Sequence, residues 1–325
     1  MARTSRALPL GVVGVVAALG LSACGGGNIN TSTASGTAGG TSAAKCGDLR
    51  IAINPWVGYE ANAHVIGYID KTKLGCNVTY PQLKEEVAWQ GMASGSVDTV
   101  VENWGHADLT KKYITDGKTV QDAGLTGNEG IIGWYVPEWL ATAHPDVLDY
   151  QNLNKYASNF ATSESGGKGQ LLDGDPSYVT NDEALVTNLK LNFKVVFGGS
   201  EAAIIAAQRD AQKNKKWLVS YFYEPQWLFN ELKMKQVKLP PYTEGCDADP
   251  KKVACDYPPY HLNKLIATKF ATSGSPAVGL IKNFQWTNDD QNAVAAMIAN
   301  EKMDPEAAAQ KWVDANPDKV AAWLK

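Results

Sequence analysis

Between Leu49 and Val101 one pattern repeats: short apolar runs separated by longer stretches whose apolar residues recur at helical spacing. Leu49 to Ile53, Val78 to Tyr80 and Val97 to Val101 are short and rich in β-branched residues, so they read as buried strands. Tyr59 to Leu74 and Glu85 to Ser94 carry the helical period, and Gly95 supplies a stop. Strands that alternate with helices run parallel, because each helix carries the chain back to the start of the next strand. Ligands of such sheets bind beyond the carboxyl ends of the strands. Two of those ends carry an indole: Trp56 in the turn Asn54-Pro-Trp56-Val-Gly58, and Trp104 in Glu102-Asn-Trp104-Gly-His106. A single Trp after a strand is most simply a core residue, so what matters is whether the placement recurs.

The alternation continues. Ile131 to Val136 is strand-like, Pro137 to His144 begins a short helix, and the polar, Gly-rich region from Asn152 to Gly174 reads as helix and then loop. Thr180 with Glu183 forms a predicted capping box ahead of a stripe containing Leu185 and Leu189. Lys194 to Phe197 and Trp217 to Tyr223 are predicted strands, flanking a helix from Glu201 to Lys213, and Pro225 starts a helix from Gln226 to Leu232. His261 to Thr268 reads as a strand returning to the first sheet, followed by helices over Pro276 to Phe284, Asp289 to Glu301, Pro305 to Asn316 and Pro317 to Leu324. Two α/β units, with the last segment folding back on the first, imply two lobes: 46–130 with 258–325, and 131–257.

A net charge of −4 leaves no electrostatic footprint for a nucleic acid. Arg3 and Arg6 precede an apolar run from Leu10 to Leu21, too short to cross a bilayer, and this reads as a secretion signal. Leu21-Ser-Ala-Cys24 resembles the lipobox of bacterial lipoproteins. That resemblance implies a signal peptide over 1–23, a lipid on Cys24, and a body anchored to the outer face of the plasma membrane. The Gly-, Ser- and Thr-rich stretch up to residue 45 cannot bury a core and reads as a flexible tether. Four cysteines remain for an oxidising compartment. Cys46 and Cys76 each precede a predicted strand, while Cys246 and Cys255 bracket one loop, so proximity pairs 46 with 76 and 246 with 255 among three connectivities. No Cys-x-x-Cys or His pair has ligand spacing, and no metal is expected.

The aromatic placement does recur: Tyr223 follows a predicted strand and Tyr178 precedes a predicted helix. Four rings converging on one cleft would form a box of electron-rich faces. Such faces hold a quaternary ammonium, which has no N–H to donate, at about 0.5–2 kcal/mol per desolvated ring. The backbone N–H groups of Val179 and Thr180, at a helix start, together with His106, are candidates for a carboxylate at the ligand's other end, although Asp182 and Glu183 already complement that helix dipole. His64, His144 and His261 are read as structural or surface residues.

The segments Trp89-Gln-Gly-Met-Ala-Ser-Gly95-Ser-Val-Asp98, Glu102-Asn-Trp104-Gly and Tyr221-Phe-Tyr223-Glu-Pro225-Gln-Trp227-Leu-Phe resemble the glycine betaine/proline betaine substrate-binding proteins of ABC importers. The similarity extends over nearly all of the chain beyond the tether. It implies an α/β, two-lobed type II periplasmic-binding-protein fold, each lobe a mainly parallel sheet flanked by helices. It further implies a monomer without cofactor or catalysis, which closes on its solute and delivers it to an ABC permease and its ATPase. By position Trp104, Tyr178 and Tyr223 match the aromatic box, with the backbone of Val179 and Thr180 on the carboxylate. Several relatives carry Trp at positions 178 and 223, and a His somewhat farther past the first Trp than His106, so Trp56 is the candidate fourth wall. Trp134, Tyr135 and Trp227 are assigned to packing.

The rival is a secreted carbohydrate-active enzyme with an aromatic cleft, for which Glu102 and Glu224 are the acids beside the box. Nucleophile-elbow, zinc-protease and phosphate-loop patterns are absent from the sequence. Asp173-Gly-Asp175-Pro-Ser177 opens like a calcium loop, but Tyr178 stands at the glycine position and Ala184 at the closing glutamate. The expectation is a tethered extracytoplasmic receptor for a quaternary-ammonium compatible solute, glycine betaine first.

Overall fold

Two short strands, β1 (Asp48–Arg50) and β2 (Asn77–Thr79), pair in parallel on either side of helix α1 (Val57–Leu74). The computed structural model describes residues 46–178 and 180–325; the signal peptide, Cys24, the tether and Val179 lie outside the described residues. A parallel bridge from Ile51 to Thr99 carries the same layer on to β3 (Thr99–Asn103) after helix α2 (Glu85–Ser94). Both helices end in a left-handed glycine, Gly75 and Gly95, as the sequence predicts for the second. Disulfides join Cys46 to Cys76, at the approach to β1 and β2, and Cys246 to Cys255 across one loop.

The central strand is β4 (Val120–Pro137), far longer than the Ile131 to Val136 run predicted. From Val120 to Gly130 it pairs antiparallel with β9 (Tyr260–Ala267), and from Ile131 to Tyr135 with β7 (Val219–Glu224). Its first half escapes detection because Gly124, Gly127 and Asn128 interrupt the apolar alternation. The register against β9 shifts between Asp122 and Leu125 and again before Glu129. A second strand, β5 (Gly169–Asp173), lies in the region read as helix and loop, where the helical part is confined to Tyr150–Leu153 and a 3-10 turn Asn154–Tyr156. β5 is parallel to both β6 (Phe193–Phe197) and β7, and β8 (Met234–Gln236) adds an antiparallel edge to β4. The larger sheet is ordered β3-β9-β4-β7-β5-β6.

Three local expectations change. Helix α3 (Asp182–Asn188) is capped at Asn181 without a side-chain bond. The Thr180 hydroxyl instead donates to Asp173 Oδ2 at 2.8 Å, so the capping box with Glu183 does not form. The helix expected from Gln226 to Leu232 is a single 3-10 turn, Trp227–Asn230. The strand predicted to end at Tyr223 runs on to Glu224, so Tyr223 is inside β7 rather than at its end. Helix α4 (Glu201–Asn214) begins as predicted, with the Ser200 hydroxyl accepting from the Ala203 N–H. Helices α5 (Ala277–Asn283), α6 (Asn288–Ala299), α7 (Pro305–Ala315) and α8 (Pro317–Trp323) complete the chain. Trp286, Trp312 and Trp323 pack with Phe284 among them.

Candidate functional site

The turns after β1 and β3 bring Trp56 and Trp104 to one cavity of about 280 Å³. That is just below the roughly 300–1,000 Å³ of drug-sized sites and suits a small solute. Tyr178, Tyr221, Tyr223 and Tyr260 complete its aromatic lining. The rings form an unbroken series. Trp56 meets Tyr178 edge-on at 5.7 Å, Tyr178 lies 6.2 Å from Tyr221, Tyr221 lies 6.1 Å from Tyr223, and Trp104 meets Tyr223 at 5.7 Å and Tyr260 at 5.6 Å. Three of these pairs meet edge-to-face and two are tilted, geometries that aromatic rings prefer over a face-to-face sandwich. Thus Trp56, Trp104, Tyr178 and Tyr223, which lie far apart in sequence, share one cavity.

Two buried carboxylates hold these rings from behind. Glu102 Oε1 accepts both indole N–H groups, from Trp56 at 2.7 Å and Trp104 at 2.8 Å, while Oε2 accepts from Asn62 at 2.5 Å and Gln291 at 3.0 Å. Burial pushes the Glu102 carboxyl up to about 7, and the four donors pull it back toward the ionised form. Glu201 accepts from the Tyr223 hydroxyl, Gln226 and the Val57 backbone N–H. The Tyr178 hydroxyl donates to the Pro55 carbonyl at 3.0 Å. Glycines make room for the rings: a Cβ at Gly130 would stand 2.7 Å from the Trp104 indole, and one at Gly174 would stand 2.6 Å from the Tyr178 ring.

The polar part of the lining is Glu85, His106, Asp108, Asn181 and Asp247. His106 Nε2 lies 3.1 Å from Glu85 Oε2, within ion-pair distance. Burial alone would pull the imidazole pKa down; Glu85, with Asp108 and Glu86 nearby, outweighs it and leaves the value raised. Thr180 is turned to Asp173 and does not line the cavity, and Val179 is outside the described residues. The Asn181 N–H is already used, donating to the Tyr257 hydroxyl at 2.8 Å. Trp134, Tyr135 and Trp227 are buried away from the cavity, and the Trp134 indole donates to Asp182 at 2.8 Å.

Sequence reasoning missed Tyr221, Tyr260, Glu85 and Asp247. Tyr221 had a usable signal, since it lies two residues before Tyr223 and therefore on the same face of a strand. Tyr260 depended on the undetected half of β4, where it pairs with Gly130.

A sequence profile described as the substrate binding domain of ABC-type glycine betaine transport system matches residues 47–315. The trimethylamine N-oxide-binding protein of Pelagibacter ubique (strain HTCC1062) is 26% identical over 278 residues, covering 80% of this chain and 85% of that protein. Lactococcal OpuAC, in its closed conformation with glycine betaine, superposes with a TM-score of 0.67 at 23% identity, over 86% of this chain and 99% of that one. An ABC-transporter choline-binding protein in complex with choline gives a TM-score of 0.70 at 18% identity, over 86% and 92% of the two chains.

Proposed function

The chain belongs to the family of substrate-binding domains of ABC-type glycine betaine transport systems, with the two-lobed type II periplasmic-binding-protein fold, and we propose that its ligand is a compatible solute held by a quaternary ammonium head. As such a protein it works outside the cytoplasm, serves an ABC importer for betaine- and choline-type solutes through its permease and ATPase, and catalyses nothing. The head sits among Trp104, Tyr178 and Tyr223, with Trp56 as a further wall and Tyr221 and Tyr260 closing the series. One observation carries this reading: six rings line a single cavity to which, among the described residues, neither Lys nor Arg contributes. An ammonium without N–H groups gains from ring faces and meets no competing Lys or Arg among the described lining residues.

The proposal extends to the molecule's working form. Residues 46–130 with 258–325 make one lobe and 131–257 the other, the strand β4 passing between them at Gly130 and Ile131, where its partner changes from β9 to β7. Solute enters between open lobes, the rings close over it, and the closed form docks on the permease. The protein acts as a monomer tethered through a lipid on Cys24, a reading supported by the signal and lipobox pattern of the sequence.

Titration calorimetry with glycine betaine, proline betaine, carnitine and choline tests the head. At least one is expected to bind, quench Trp fluorescence and raise the melting temperature. Trp104→Ala and Tyr223→Ala should each weaken that ligand at least tenfold, about 1.4 kcal/mol or more. Unchanged affinity in either variant removes that ring from the box.

A further inference from the structure

We propose that this cavity selects a net cation whose tail is a neutral hydrogen-bond donor, an alcohol of the choline type, over a zwitterion whose tail is a carboxylate. The inference rests on the quaternary-ammonium reading of the head and concerns the other end of the ligand.

Three carboxylates reach the cavity from separate parts of the chain: Glu85 from the first turn of α2, Asp108 from the turn after Trp104, and Asp247 from the loop closed by Cys246 and Cys255. Among the described lining residues the only side chain able to carry positive charge is His106, and Glu85 stands 3.1 Å from it. Its charge is therefore balanced before any ligand arrives. Behind the rings lie Glu102 and Glu201, whose donors are indoles, amides, a phenol and a backbone N–H, all neutral. Among the described residues no cation hydrogen-bonds to either of them.

Each of the three lining carboxylates attracts a trimethylammonium and repels a carboxylate brought in behind it, and a ring-walled cavity screens both effects less than water does. Among the described residues the backbone at the start of α3 offers a carboxylate little, since the Asn181 N–H is used by Tyr257 and Thr180 does not line the cavity. A hydroxyl tail meets the opposite situation, because it donates to an ionised carboxylate in a charge-assisted bond. An acidic mouth also raises the encounter rate of a cation.

The test is calorimetry on the tethered chain at neutral pH with tetramethylammonium, choline and glycine betaine. Tetramethylammonium has no tail and reads the head alone. It is expected to bind and to be lost in Trp104→Ala; failure to bind would overturn the aromatic reading and this inference with it. Choline is expected at least tenfold tighter than glycine betaine, and Glu85→Gln should narrow that ratio severalfold. Asp247→Asn, on a surface loop, gives the same readout should the Glu85 variant not fold. Tetramethylammonium binding combined with glycine betaine as tight as choline or tighter would overturn the charge selection and leave the aromatic box standing. A ratio that neither variant narrows would remove the acids from it.

Discussion

Gly130 determines how close Trp104 comes to its neighbours, because any Cβ there would meet the indole at 2.7 Å and the Tyr260 Cβ at 3.0 Å. Gly130→Ala therefore deforms the box without deleting a ring. Ligand affinity should fall at least tenfold while the circular dichroism spectrum is preserved; wild-type affinity in the variant would show that the indole's position is not what the ligand reads. At this scale the sequence was partly legible. Trp56 and Trp104 could be found because they follow strands, and strand ends are local features. Glu102 could not be recognised as the group that aims both indoles, since its four donors come from residues as far away as Gln291, 189 positions along the chain. What marks such a carboxylate is its set of partners, and partners are a property of the fold.

The elements that meet at the cavity are coupled through α4 and α1. Glu201, the first residue of α4, accepts at 3.0 Å from the N–H of Val57, the first residue of α1, whose own N-cap Trp56 provides no side-chain bond. A carboxylate from the β6–α4 unit thus caps the positive end of an eighteen-residue helix in the β1–β3 unit, and the same carboxylate holds the Tyr223 hydroxyl. In the closure proposed above, this contact would link approach of the two units to placement of a box ring. Glu201→Gln removes the charge and turns an amide toward groups that are already donors. We expect affinity to fall severalfold and the radius of gyration measured by X-ray scattering with ligand to exceed the wild-type value. Equal radii and equal affinity would mean that the contact is incidental to closure. Helices α1, α2 and α4 were legible because apolar period and end signals agree within each. β5 was not, because only Leu171 and Leu172 of its five residues are apolar within a Gly-rich stretch, and burial between β6 and β7 makes it a strand.

At the scale of the molecule, the alternation of strand and helix was enough to anticipate an α/β body, whereas the long antiparallel pairing of β4 with β9 was not, because it joins segments more than a hundred residues apart through glycine-broken registers. The same body carries a stability term that depends on pH. Asp70 on α1 is fully buried, and its Oδ2 has no hydrogen-bond partner among the described residues. Burial raises its carboxyl from 3.8 to about 8. The folded state therefore keeps a proton that the unfolded chain gives up. This contribution is fully present below the unfolded value and is lost as pH rises toward 8. His64, pulled down to about 4 by burial, works in the opposite sense, but only up to its ordinary value of 6.5, and Lys264, lowered to about 8, does so only above that. Between those limits Glu102 and His106, both raised, add to the loss from Asp70. The melting temperature should consequently decline from pH 6.5 to 8, with each proton released contributing up to about 1.4 kcal/mol per pH unit. Asp70→Asn keeps the shape and removes the titration, so it should melt higher than wild type at pH 8 and show a distinctly flatter profile over the window. A wild-type profile that rises across it, or a variant profile that runs parallel to the wild type, would show that Asp70 does not hold its proton in the folded protein.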